Sequence, residues 1–123
     1  MTMIGLGIDV VNVERFRTAL ERTPALRSRV FTSAELDSLA SRADSAPSLA
    51  ARFAAREATM KALGVGLGAF ELHDVSILTR ETGAPELVVV GRAAEIAHAQ
   101  GVKVWHVSLS HTQDTAVAVV TSN

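Results

Sequence analysis

Residues 49–64 read Leu-Ala-Ala-Arg-Phe-Ala-Ala-Arg-Glu-Ala-Thr-Met-Lys-Ala-Leu-Gly, and this stretch decides the fold. Alanine and straight-chain residues dominate it, which favours a helix. Gly64 supplies the left-handed residue that commonly closes one. The spacing predicts a helix from Leu49 to Leu63. Ala51, Ala54, Ala55, Ala58 and Ala62 form its small-residue face, and Leu49, Phe53 and Met60 a larger apolar stripe. Glu57 and Lys61 lie four apart and share a face, where an ordinary ion pair is worth about 0.3–0.5 kcal/mol. Their neighbours Phe53, Ala54 and Ala58 are apolar or small. The two charges therefore sit in a partly buried wall and need partners there.

Upstream, Ile4, Leu6, Ile8 and Val10 alternate with Gly5, Gly7 and Asp9, the pattern of a strand. Two glycines beside an acid leave room for a ligand or another backbone to approach. If this strand packs along the helix, Asp9 and Glu57 meet and repel unless a cation sits between them. A hard divalent ion with oxygen ligands, Mg²⁺ first, resolves that conflict and keeps positions open for phosphate oxygens. Asn12 is placed to cap a short helix carrying Val13, Phe16 and Leu20 inward, limited by Pro24. Thr32 and Glu35 form a capping box opening a helix through about Leu39. Residues 40–48 read as a loop. Beyond Gly64, Gly66 and Gly68 make a flexible connection. The remainder predicts strands over Phe70–Thr79 and Leu87–Val90 about a turn at Thr82–Pro85, then a helix over Gly91–Gln100. A hairpin follows, Val102–Ser110 with Thr115–Thr121, across His111–Asp114. The expected class is α+β, with residues 1–123 as one domain.

Composition narrows the chemistry. The 123 residues include no cysteine, which removes disulfides, zinc–thiolate sites, iron–sulfur clusters and a thiol nucleophile. The absence of cysteine fits a reducing compartment. No apolar run approaches the roughly 20 residues of a membrane span, and no secretory signal is evident. A net charge of −1 and 4% aromatics argue against a nucleic-acid partner. Yet Arg15, Arg17, Arg22, Arg27 and Arg29 crowd one segment against the single acid Glu21. Such a segment is either a solvated face or a docking patch for an acidic partner. His111, near a strand end, is either a turn histidine or a phosphate contact. His73, His98 and His106 lack zinc spacing. Gly64, Gly66 and Gly68 follow a helix instead of preceding one, so they are a cap and turn first and a ligand-approach loop second.

Three segments carry a resemblance. Gly5-Leu6-Gly7-Ile8-Asp9-Val10-Val11 with Glu14-Arg15-Phe16, then Arg52-Phe53-Ala54-Ala55-Arg56-Glu57-Ala58 with Lys61-Ala62-Leu63-Gly64, then Val107-Ser108-Leu109-Ser110-His111-Thr112 stand in order along nearly the whole chain. Together they resemble the holo-acyl-carrier-protein synthases, the small bacterial 4′-phosphopantetheinyl transferases. The resemblance implies a compact α+β unit, an antiparallel sheet against a long central helix, and a cytoplasmic homotrimer with active sites between subunits. It implies transfer of the phosphopantetheine arm of coenzyme A onto a serine of an acidic acyl carrier protein, releasing adenosine 3′,5′-bisphosphate, in support of fatty acid biosynthesis. Asp9 and Glu57 would hold Mg²⁺, Lys61 would meet phosphate charge, and Glu57 would take the serine proton directly or through water. Arg52, Lys61, Gly64, His111 and Thr112 would contact coenzyme A, and Arg15 and Arg22 the carrier.

Some positions depart from that pattern. Arg56 stands where lysine is common, and Thr59 where a large apolar residue is frequent. Ala84 replaces a cation before Pro85, and the 41–48 loop holds one basic residue, Arg42. Two other classes stay open on the residues alone. One is a non-catalytic module that holds an acidic protein with its arginines. The other is a different Mg²⁺-dependent nucleotide enzyme.

Overall fold

A computed structural model describes residues 2–123. Asn12 ends the first strand, β1 (Gly5–Asn12), and its Oδ1 accepts from the Arg15 N–H, opening α1 (Val13–Arg22). After Pro24 the chain makes a short helix, α2 (Leu26–Val30), that the sequence pattern did not predict. The Thr32–Glu35 capping box forms in full and opens α3 (Ser33–Leu39). The long helix α4 (Ala46–Leu63) begins three residues before the predicted Leu49. Pro47 sits in its first turn, where the missing N–H costs nothing. Gly64 closes it at φ 70°.

The predicted strand over Phe70–Thr79 is shorter. A 3-10 turn at Leu72–Asp74 precedes β2 (Val75–Thr79), which pairs only with β3 (Pro85–Val89). Helix α5 (Gly91–Ala99) leads to β4 (Trp105–His111) and β5 (Thr115–Ser122). The main sheet is antiparallel, in the order β1-β5-β4, and it packs on α4. The architecture is thus mixed α/β, with a three-stranded sheet and a separate two-stranded ribbon.

The way β1 meets α4 reverses ordinary expectation. The glycine face points inward. A Cβ on Gly7 would lie 1.8 Å from the Ala58 carbonyl oxygen, and one on Gly5 2.0 Å from that of Ala62. Of the two approaches that the glycines allow, ligand or backbone, the helix backbone takes the space. The alternating apolar residues are left on the outer face, with Leu6, Ile8 and Val10 exposed to 59%, 54% and 61%. Ile8 lies opposite Val119 of β5, which lies opposite Ser108 of β4. The outer sheet surface therefore grades from apolar on β1 to polar on β4.

Beside the buried Phe31 ring the core holds a charge pair. Glu35 and Arg56 are both fully buried, joined by Nη1–Oε2 at 3.0 Å and Nη2–Oε1 at 2.6 Å. Arg56 Nε donates to the Leu72 carbonyl, its guanidinium lies 5.0 Å from the centre of the Phe31 ring, and Glu35 accepts from the Ile77 N–H. Burial acts to raise the Glu35 pKa, but the bonds and charge of Arg56 together hold it below the usual range. A lysine at 56 has no planar fork to reproduce this. Thr59 turns its hydroxyl back on the Ala55 carbonyl, so it needs no partner elsewhere.

Candidate active site

Close packing of β1 on α4 determines what stands beside the glycines. Asp9 follows Gly7 by two residues on the same inward face, and it lines a cleft of about 500 Å³ together with Glu57. Lys61 Nζ donates to the Ile8 carbonyl at 2.8 Å and lies 3.2 Å from Asp9 Oδ1. The expected Glu57–Lys61 pair is therefore not made, and Lys61 reaches 52 residues back to Asp9. Glu57 has no ion-pair partner within 4 Å among the described residues. Burial raises its pKa first, Asp9 raises it further, and Lys61 opposes both. Two carboxylates that repel, with one lysine bonded to Asp9, are suited to a hard cation. Among the described residues no third acid or histidine joins them. Oxygens of water and substrate would complete such a site, as is usual for Mg²⁺.

Most of the rest of this cleft is apolar: Val11, Phe16, Ala19, Leu26, Val30 and Phe53 line it, with Asn12 and Arg15 as its other polar residues. Arg15 and Arg22 also border a shallow groove on α1 with Glu14 and Thr18. The arginine-rich segment is not uniform, however. Arg17 bonds Asp44 at 2.6 Å and Glu14 at 3.3 Å, and Arg27 reaches the Ser45 hydroxyl. Arg17 is thus committed inside the chain.

A second cleft, of about 230 Å³, brings together Arg42, Ser48, Arg52, Thr79, Gly83 and His111. Ser48 gathers its two cations. The Ser48 hydroxyl accepts from Arg42 Nη1 at 2.8 Å, and its carbonyl accepts from Arg52 Nη1 at 3.3 Å. Arg52 is buried, its Nη2 donates to Thr79 Oγ1 at 3.4 Å, and its Nε has no partner. Burial lowers the Arg52 pKa, and the neighbouring Arg42 and Arg56 add to that, against Glu35. Two crowded guanidiniums and a histidine seek an anion here.

The other expected contacts are placed differently. Gly64 is the α4 cap, its N–H donating to the Met60 and Lys61 carbonyls, and it lies in neither cleft. The Thr112 hydroxyl accepts from the Asp114 and Thr115 N–H groups, so it holds the β4–β5 turn beside His111. Arg52 and Glu57 are five residues apart on α4, roughly 140° around the helix. The two clefts therefore open on different sides of α4, and neither contains both sets. Sequence reasoning missed the joint role of Arg42 and Ser48, since a single arginine in a polar loop carries no signal of where it folds.

Comparison with known proteins adds four findings. A family model described as the 4′-phosphopantetheinyl transferase superfamily matches residues 5–120. The chain is 49% identical over 120 residues to the holo-[acyl-carrier-protein] synthase of Streptomyces coelicolor, covering 98% of this chain and 97% of that one. It superposes on the holo-[acyl-carrier-protein] synthase of Neisseria meningitidis with a TM-score of 0.89 at 29% identity, over 99% of both chains. The Helicobacter pylori synthase in complex with coenzyme A matches with a TM-score of 0.83 at 27% identity, over 96% of this chain and 99% of that one.

Proposed function

The chain belongs to the 4′-phosphopantetheinyl transferase superfamily, among its holo-[acyl-carrier-protein] synthases, and from that premise we propose that it moves the 4′-phosphopantetheine arm of coenzyme A onto a serine hydroxyl of apo acyl carrier protein. The meeting of Asp9 and Glu57 in one cleft, with Lys61 bonded to Asp9, carries this reading. In the step, the serine oxygen forms a bond to the phosphorus that bears the pantetheine arm. The bond from that phosphorus to the bridging oxygen breaks, and adenosine 3′,5′-bisphosphate leaves.

Asp9 and Glu57 would hold Mg²⁺, which when bound spreads the negative charge of the diphosphate and stabilises its bridging oxygen. Lys61 adds a fixed positive charge at the same edge and needs no covalent chemistry to do so. Glu57 takes the serine proton, directly or through a water. Its raised pKa brings it nearer the working range of a general base. The second cleft takes the nucleotide end of coenzyme A. Arg42 and Arg52 face the 3′-phosphate, with His111 beside them and Thr112 fixing the turn that presents it. Gly64 leaves the space above the α4 terminus open for the pantetheine side of coenzyme A. Arg15 and Arg22 draw an acidic carrier to the first cleft, where the serine must arrive.

Because the clefts lie on different sides of α4, a complete site combines the Asp9 set of one chain with the His111 set of another. The exposed apolar face of β1 supplies a surface for that association. A closed ring of three such contacts gives a homotrimer with one site per boundary. Residues 1–123 act as one transferase domain, in the cytoplasm, serving fatty acid biosynthesis. The test is intact-protein mass spectrometry of an apo carrier incubated with coenzyme A, Mg²⁺ and the enzyme. The carrier should gain the mass of the arm. A carrier of unchanged mass, under conditions in which an established synthase modifies it, would refute the proposal.

A further inference from the structure

Residues 40–45 join α3 to α4 and carry Arg42, and they are moored by contacts that the transfer step does not use. Asp44 Oδ1 accepts from Arg17 Nη1 of α1 at 2.6 Å and from the Ala46 N–H, at the start of α4, at 3.2 Å. The next residue, Ser45, accepts from Arg27 Nη1 of α2 at 3.4 Å. One carboxylate oxygen thus ties the link to α1 and to the first turn of α4 together. Arg42 points the other way, onto the Ser48 hydroxyl and into the second cleft beside Arg52. Neither Arg42 nor Arg52 has an ion pair within 4 Å among the described residues.

This arrangement works against the mutual repulsion of the two guanidiniums, which share Ser48; burial is the first cause of the lowered Arg52 pKa, and the Arg42 charge adds to it. A long, rotamer-rich side chain on an unmoored link would swing into solvent, away from its like-charged neighbour. Neither Arg17 nor Asp44 lines the second cleft, so the bridge touches no coenzyme A there. Its hydrogen bond keeps the Asp44 carboxyl below its usual range, and the Ala46 N–H adds to that.

We propose that the Arg17–Asp44 bridge is a positioning element that sets the 40–45 link so that Arg42 faces the 3′-phosphate, and thereby sets the preference for coenzyme A over its 3′-dephospho form. The proposal rests on the reading that the second cleft takes the 3′-phosphate end of coenzyme A. It assigns Arg17 to the nucleotide and not to the carrier, although it lies within the arginine-rich segment.

The experiment compares kcat/KM for coenzyme A and 3′-dephospho-coenzyme A, with one carrier and saturating Mg²⁺. The unaltered enzyme should favour coenzyme A, and Arg42→Ala should cut that preference roughly tenfold or more, the scale of a lost charge-assisted bond. Asp44→Ala and Arg17→Met should each cut it about threefold, since Arg42 remains but is less often in place. The charge swap, Arg17→Asp with Asp44→Arg, should recover part of the loss. A merely structural role would weaken both substrates equally and leave the ratio unchanged. If Asp44→Ala fails to fold, Arg17→Met carries the test, because it leaves the Asp44–Ala46 bond intact. If Arg42→Ala loses the preference while both bridge variants keep it, the positioning proposal is wrong and the cleft assignment stands. If Arg42→Ala also keeps it, the cleft assignment fails and takes the proposal with it.

Discussion

Replacing Gly7 by alanine should damage fold and activity together. A Cβ at that position falls 1.8 Å from the Ala58 carbonyl oxygen and 2.9 Å from the Ala62 nitrogen. These are backbone atoms of α4, so no side chain can swing aside. The strand must retreat by about 1.2 Å for the shortest contact to reach even 3.0 Å, and a close-packed interior transmits such a shift instead of absorbing it. Overpacking commonly costs about 1–3 kcal/mol, and a contact against rigid backbone belongs at or above the upper end. At roughly 4 °C per kcal/mol for a domain of this size, the melting temperature should fall by about 12 °C or more. The same retreat carries Asp9 away from Lys61, whose 3.2 Å contact has little slack. Circular dichroism melts and the arm-transfer assay measure the two effects. Gly66→Ala is the control, since nothing lies within 4 Å of its added Cβ. If Gly7→Ala melts with Gly66→Ala and transfers the arm at the unaltered rate, the contact between β1 and α4 does not place Asp9.

In cation-free buffer, Glu57→Gln should match the unaltered protein at low pH and exceed its melting temperature near pH 8. The folded pKa of Glu57 is raised, so stability is lost as pH climbs through that value and the half-buried carboxylate ionises. Added Mg²⁺ should stabilise the unaltered protein, by about 2.7 kcal/mol at a hundredfold excess over Kd, and leave Glu57→Gln unmoved. Lys61→Ala should lower kcat by about tenfold or more while KM for coenzyme A changes less, because its charge acts on the transition state; unchanged kinetics with a shifted melting temperature would make it a structural residue. Reversing Arg15 and Arg22 to glutamate should raise KM for the carrier about tenfold and flatten its salt dependence, with coenzyme A binding kept. Equal weakening of both substrates would remove these arginines from the carrier surface.

The parts of the fold set by local chemistry were legible in the sequence. The Thr32–Glu35 box, the Asn12 cap and Gly64 each act within a few residues, and each forms as expected. Long-range pairing was not legible. Glu35 reads as a cap, yet it also meets Arg56 from 21 residues away in the core. Lys61 has Glu57 at helical spacing, yet it takes Asp9, because the strand brings a carboxylate and the Ile8 carbonyl together. Alternation in β1 was plain, but its facing was not. Apolar residues face outward because the glycines let α4 come closer than any side chain would allow. Helix α2 escaped notice because its five residues carry no side-chain cap.

In the proposed site, the acids at β1 and α4 of one chain meet the His111 cleft of its neighbour. Mixed refolding separates this arrangement from a site within one chain. Glu57→Gln and His111→Ala chains should each transfer the arm poorly alone. Unfolded together and refolded in equal amounts, roughly a quarter of boundaries would pair an intact Glu57 with an intact His111. Activity should then return in the mixture alone. Mixed oligomers verified by native mass spectrometry, yet no more active than the separate variants, would contradict the account.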